Sequence, residues 1–160
     1  MSATDPQQRY LQRAIELALE GVRKGDGGPF GAVVVLGDQI VGEGQNRVTS
    51  TIDPTAHAEV VAIRDACTRL DRHELKGCTI YASCEPCPMC LAAIHWARLD
   101  RLVYTSTRED AAAAGFDDAH FYEQLAKRPE ERELPSRHIR LTGDDAPFEA
   151  WRAKQDRIPY

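Results

Sequence analysis

The chain of 160 residues has no long hydrophobic run, and nothing in it approaches the roughly 18 consecutive apolar residues of a membrane-spanning helix. Its first ten residues, MSATDPQQRY, lack the apolar stretch of a secretory signal, so a cytoplasmic location is the expectation. A basic excess is also missing. Twenty Lys and Arg stand against 25 Asp and Glu, for a net charge of −5, and no basic tail or stripe stands out. That argues against tight nucleic-acid binding, which depends on neutralising phosphates. There is no internal repeat and no low-complexity tract. The five cysteines do not suggest a disulfide framework, because Cys84, Cys87 and Cys90 crowd into seven positions, which suits a metal better. With 42% hydrophobic and 28% charged residues, the composition is that of an ordinary globular domain. A chain of this length buries roughly 70% of its unfolded surface and is most simply one domain.

Hydrophobic periodicity orders the elements. Asp5-Pro6 reads as a capped helix start, followed by Tyr10, Leu11, Ala14, Ile15, Ala18, Leu19 and Val22 at helical spacing up to Gly25. Pro29 to Leu36, a turn at Gly37-Asp38, and Gln39 to Gln45 read as a β-hairpin. A polar loop, Asn46 to Thr55, leads into a helix from Ala56 to about Leu70, with a stripe of Val60, Ile63, Ala66, Cys67 and Leu70. Cys78 to Ser83 is a third strand. A further helix carries Leu91, Ile94 and Ala97, and Arg101 to Thr105 is a fourth strand reached by a parallel, right-handed crossover. Helical patterns at Arg108 to Ala114, Ala119 to Ala126 and Pro147 to about Gln155 follow, with His138 to Leu141 as an added strand. The order predicts an α/β domain of three layers, α-β-α, with a central mixed five-stranded sheet covered on both faces.

The chemistry concentrates in His57-Ala58-Glu59 and Cys87-Pro88-Met89-Cys90. Two thiolates and an imidazole make three zinc ligands, and a catalytic zinc site keeps its fourth position for water. Glu59 is a carboxylate beside the metal that need not bind it. His-x-Glu followed by Pro-Cys-x-x-Cys is the signature of zinc-dependent nucleobase deaminases. Pro86 and Pro88 set Cys87 and Cys90 at a helix N-terminus, where free N–H groups and the helix dipole favour thiolates. On a regular helix His57 and Glu59 face nearly opposite ways, so they serve one site only if His57 lies at the frayed entry. The alternative is a closed structural site in which Cys84 completes four ligands. Cys67 and Cys78 read as buried thiols, and His73, His95, His120 and His138 have no partner at metal spacing.

Beyond the zinc pattern, Gly27-Gly28-Pro29-Phe30-Gly31-Ala32-Val33, Asp53 to Val60, Ser83 to Cys90, Ala114-Gly115-Phe116-Asp117-Asp118 and Pro147 to Arg152 together resemble the bacterial guanine deaminases of the cytidine-deaminase superfamily. The likeness runs from about Tyr10 to Tyr160. It implies one zinc ion per subunit, with a bound water, held by His57, Cys87 and Cys90. It also implies Glu59 and Asp118 as catalytic groups, and Phe30, Asn46, Ala58, Trp96, Asp118 and Tyr160 as substrate contacts. A homodimer is implied as well, with residues from about 119 to 160 crossing to the partner and Trp96 and Tyr160 closing the site. The implied partner is a small purine, with neither nucleic acid nor membrane.

Read from the residues alone, Phe30 beside glycines is first a core residue, Asn46 a turn residue, Asp118 a solvated helix cap and Tyr160 a loose chain end. With the resemblance added, the leading expectation it implies is hydrolytic deamination of guanine to xanthine. Its rivals are a guanosine, other aminopurine or amino-triazine deaminase, a tRNA adenosine deaminase, and a zinc-stabilised module without catalysis.

Overall fold

Asp5 opens α1 (Pro6–Lys24) by accepting the Gln7 N–H on its carboxylate at 3.0 Å, and Gly25 closes it in the left-handed region at φ 74°. The coordinates, a computed structural model, describe residues 5–160; the leaderless reading of residues 1–4 falls outside them. The buried face of α1 is Tyr10, Ala14, Leu17 and Ala18. Leu19 and Val22, expected inside, are about half exposed, and Leu17 takes their place. The hydrophobic stripe is therefore rotated by part of a turn from the one periodicity suggests.

Four strands form one sheet in the order β2-β1-β3-β4, namely β1 (Gly31–Leu36), β2 (Gln39–Gln45), β3 (Cys78–Cys84) and β4 (Arg101–Ser106). β1 runs antiparallel to both β2 and β3, and β3 runs parallel to β4 across the crossover, so the sheet is mixed. Alternation along the strands splits the core into two layers. Tyr10 and Leu17 of α1 pack with Val33, Val35 and Tyr81 on one face. Ala58, Ala62 and Ala66 of α3 (Ala58–Leu70) and Ile94 of α4 (Pro88–Trp96) pack with Ala32, Val34, Ile80 and Ala82 on the other.

The fifth strand expected at His138 to Leu141 is absent, and the sheet has four strands. The reason is local. Residues 137–141 are all exposed, Leu141 gives its N–H to the Asp144 carboxylate at 3.2 Å, and Arg140 pairs with the same carboxylate at 3.0 Å. A turn captures the segment that a ladder would have needed.

The loop expected at Asn46 to Thr55 contains a four-residue helix, α2 (Val48–Thr51). α3 approaches β2 closely because β2 carries glycines. A Cβ on Gly44 would lie 2.2 Å from the Ala58 carbonyl oxygen and 2.5 Å from the Ala62 nitrogen. Of the expected stripe on α3, Ala66 is fully buried and Ile63, Cys67 and Leu70 pack half-buried against the same core, while Ala58 and Ala62, outside that stripe, are fully buried at the closest approach.

The chain divides into two compact units, Met1–Asp118 and Ala119–Tyr160. The first holds the sheet, both core layers and α5 (Arg108–Ala113). The second holds α6 (Ala119–Ala126), a 3₁₀ turn (Pro129–Glu131) and α7 (Ala146–Ala153), and none of its residues is buried. A polar clasp organises it, with Gln124 exchanging two hydrogen bonds with Glu133 at 3.0 and 2.8 Å. No helix among the described residues is long and apolar enough to cross a membrane.

Candidate zinc and substrate site

One end of the sheet gathers the functional segments. β1 starts beside the end of β2 (Gly31 opposite Gln45) and near the end of β3 (Ala32 opposite Ala82), and β3 ends beside the end of β4 (Cys84 opposite Ser106). Phe30, Asn46, the Cys84–Cys90 turn and the 107–118 segment all leave from that edge. It is the carboxyl end of the parallel pair, where open α/β sheets bind ligands.

His57 is the N-cap residue of α3, extended at φ −69° and ψ 153°. Because it stands outside the helix, its ring and the first-turn carboxylate of Glu59 reach one centre, as the frayed-entry geometry required. Cys87 plays the same part for α4, N-capping it at φ −64° and ψ 168°, with Cys90 in the first turn. Two helix N-termini thus converge.

His57 Nδ1 lies 3.5 Å from Cys87 Sγ and 3.5 Å from Cys90 Sγ, and the three ligand atoms are within 4.8 Å of one another. Tetrahedral zinc with bonds of about 2.3 Å to sulfur and about 2.0–2.1 Å to nitrogen demands an N···S separation of about 3.6 Å. The donor set and spacing therefore fit zinc. Cys84 is not in this group. Its Sγ sits 3.3 Å from the Thr107 carbonyl oxygen, and three protein donors remain, the count of an open site.

Without metal the three donors share protons. The Cys87 thiol is lowered to about 4, first because Cys90 donates to it and then because His57 does, against the opposing effect of burial. The His57 imidazole is raised by its hydrogen bond to the Cys87 sulfur, and Cys90 is driven far upward by the neighbouring thiolate and by burial. A cation displaces those protons, so metal binding releases them. Glu59 is buried, with Oε2 3.3 Å from Cys90 Sγ, and burial raises its pKa. Asp118 is half-buried; its pKa is raised first by burial and next by the charge on Cys87, which ties it to the same centre.

Phe30, half-buried before β1, meets Phe116 edge-on at 5.0 Å between ring centroids. Asn46, 5% exposed, follows β2. Its N–H goes to the Phe30 carbonyl, and the next residue, Arg47, donates to the Ala56 carbonyl beside His57. Ala58 has its methyl in the core, so only its backbone, in the first turn of α3, faces the site.

Trp96 closes the far end of α4, six residues and about 9 Å along the helix from Cys90, and is 61% exposed. Tyr160 ends the second unit, 71% exposed. Sequence reasoning gave no separate role to Phe116, which forms the aromatic corner, or to Glu85, whose N–H bonds the Ser106 carbonyl and whose carboxylate accepts the Arg108 N–H, tying the zinc turn to the start of α5. An aromatic next to Gly115 was the available signal for the former; the latter carries no local signature.

The family model for the cytidine and deoxycytidylate deaminase zinc-binding region matches residues 4–106, which include His57, Glu59, Cys87 and Cys90. The chain belongs to this deaminase family. Among deaminases of known activity, the guanine deaminase of Bacillus subtilis (strain 168) is 53% identical over 153 residues, covering 96% of this chain and 98% of that one. Its X-ray structure superposes with a TM-score of 0.93 at 51% identity over the same shares. The guanine deaminase from Nitrosomonas europaea is a more distant deaminase, at TM-score 0.65 and 30% identity over 82% of this chain and 71% of that one. The tRNA-specific adenosine deaminase of Aquifex aeolicus (strain VF5) is 37% identical over 97 residues, covering 61% of this chain and 64% of that protein. The full-length kinship is with the bacterial guanine deaminases.

Proposed function

We infer that the protein hydrolyses guanine to xanthine and ammonia, with zinc held by His57 Nδ1, Cys87 Sγ and Cys90 Sγ. The observation that carries this reading is an open three-donor site in a chain related to guanine deaminase along 96% of its length. The likeness to the tRNA-specific adenosine deaminases of Aquifex aeolicus and Haemophilus influenzae covers 61% and 72% of the chain, short of the 96% shared with the guanine deaminase, which favours the purine base over a tRNA substrate.

A zinc ion bound there supplies the Lewis acidity that makes water a nucleophile near pH 7. Glu59 handles the protons. Its Oε2 takes one from the attacking water and passes it to the ring nitrogen next to the reacting carbon. It then moves the proton of the new hydroxyl to the departing amine, so ammonia leaves and a ring carbonyl remains. Asp118, when ionised, accepts a ring N–H, which guanine offers. Phe30 covers a ring face, with Phe116 bracing it, and the Ala58 backbone N–H contributes a donor from the helix entry.

The protein acts as a homodimer in which residues from about 119 to 160 pack against a second copy. Supporting this, the second unit buries none of its residues while exposing Phe121, Leu125, Leu134, Phe148, Trp151 and Ile158, an apolar load that a monomer rarely leaves open. Trp96 and Tyr160 then serve the partner's site and leave no room for ribose. A cytoplasmic location suits five unpaired cysteines.

Assaying ammonia release from guanine, guanosine, adenine, cytosine and cytidine separates the readings. Guanine alone should be turned over efficiently. Preferential turnover of guanosine would move the activity to the nucleoside, and strong, salt-sensitive tRNA binding would revive the tRNA reading. Light scattering on the pure protein should give the mass of a dimer.

A further inference from the structure

Asn46 is 5% exposed, and its side-chain oxygen is already engaged. Oδ1 accepts the Gly28 N–H at 3.2 Å and the Val48 N–H at 3.2 Å. Two backbone donors can be satisfied only by the amide oxygen, since an NH₂ group cannot accept, so the orientation of this amide is chemically forced. The two N–H bonds of Nδ2 then point the other way. No group among the described residues accepts them, and Nδ2 is not sealed off, because no enclosed side-chain nitrogen or oxygen among the described residues lacks a partner. A nearly buried asparagine with its oxygen consumed and its Nδ2 hydrogens unclaimed is a donor awaiting a ligand.

Gly27 makes this arrangement sterically possible. A Cβ at Gly27 would fall 2.1 Å from Asn46 Oδ1 and 2.8 Å from the Asn46 carbonyl oxygen. Gly27 is not among the glycines with positive φ, so its backbone conformation does not call for glycine. What the position needs is the missing side chain.

We propose that Gly27, together with the Gly28 and Val48 amides, locks Asn46 as an obligatory hydrogen-bond donor, so that this side of the pocket selects heterocycles presenting an unprotonated ring nitrogen or a ring carbonyl. Gly27 is a positioning residue acting through Asn46. The inference rests on the guanine reading, and it sharpens it. A carboxylate at Asp118 accepts, the Asn46 amide donates, and the ring must offer a donor edge and an acceptor edge together. Guanine does. A ring that turns an exocyclic amine toward Asn46 sets two donors against each other.

The test is a double-mutant cycle on the zinc-loaded protein, with zinc content and urea stability measured for every variant. Gly27→Ala should keep its zinc and raise KM for guanine ~tenfold or more, with a much smaller change in kcat, the loss expected for one hydrogen bond made in ground and transition states alike. Combining Gly27→Ala with Asn46→Ala should be no worse than Asn46→Ala alone, because both remove the same contact. Asn46→Asp keeps an oxygen for the two amides but presents an acceptor outward, so it should fold, bind zinc and lose guanine affinity. Additive losses in the cycle, an unchanged KM in Gly27→Ala, or a wild-type KM in Asn46→Asp would each overturn the proposal. If the wild-type protein deaminates a different heterocycle, the guanine reading fails, and the same cycle run on that substrate still decides the coupling.

Discussion

His57 and Glu59 are two residues apart, yet they meet at one centre because His57 is the cap and Glu59 is in the first turn. This was legible in the sequence. Asp53-Pro54 announces a chain entering a helix, and His57 stands where the backbone has not yet become helical. The Cys pair was legible for the same reason, with Pro88 at the first turn of α4. Other residues carried no readable signal. Asn46 looks like any polar residue after a strand, and only the two amides on its oxygen reveal that the side chain is oriented. Phe116 lies 86 positions from Phe30, and nothing in the sequence around it marks the two as a pair. At this scale the account makes a pair of opposite predictions. Cys84→Ser should leave the zinc-to-protein ratio near that of the wild type, because the Cys84 sulfur faces the Thr107 carbonyl and not the cluster. His57→Ala should lose zinc and much of its stability with it, since metal binding is linked to folding. Metal analysis of both proteins after gel filtration checks this; a zinc-free Cys84→Ser would return that residue to the ligand set.

At the scale of elements, the hairpin, three of the site-bearing segments and the parallel crossover follow from periodicity and turn residues. The buried stripe of α3 follows only in part. Ala66, Ile63, Cys67 and Leu70 reach the core as their spacing suggests, but the fully buried Ala58 and Ala62 were not legible, because they answer to the glycines of β2, which bring the helix close. Gly44→Ala should therefore push α3 off β2, since the obstacles at 2.2 and 2.5 Å are backbone atoms that cannot rotate away. We expect a loss of about 1–3 kcal/mol, the usual range for an overpacked core, and weaker zinc binding because α3 carries His57. Urea denaturation with and without chelator reads both effects. α1 and β2 are also joined by Arg13, whose Nε and Glu43 Oε1 are 2.8 Å apart with both side chains about two-thirds buried. The hydrogen bond from Arg13 holds the Glu43 carboxyl below its usual 4.5. The folded value is thus below the unfolded one, so the stabilisation is complete above pH 4.5 and drains away as pH falls through the folded value. The difference in urea midpoint between wild type and Glu43→Gln should be largest near neutral pH and shrink as the pH falls below the usual carboxylate value of 4.5.

For the whole molecule, the first unit was more legible than the second. Its strands alternate against two helical layers, so each local signal agrees with the global packing. In the second unit the helices were found but the strand at His138 to Leu141 was not formed, because a segment with no buried residue offers no tertiary contact to enforce a weak strand pattern. The exposed apolar side chains of this unit are what the proposed homodimer would cover. The central claim is that an open zinc site and a buried proton carrier together deaminate guanine. Its most direct test is xanthine formation from guanine by the zinc-loaded protein, run beside Glu59→Ala at equal zinc content. The account predicts that the wild type forms xanthine and that the variant keeps its zinc but is slower by roughly 10³-fold or more, the scale of lost general acid–base catalysis. Failure of the wild type to form xanthine, or equal rates in the two proteins, would contradict it.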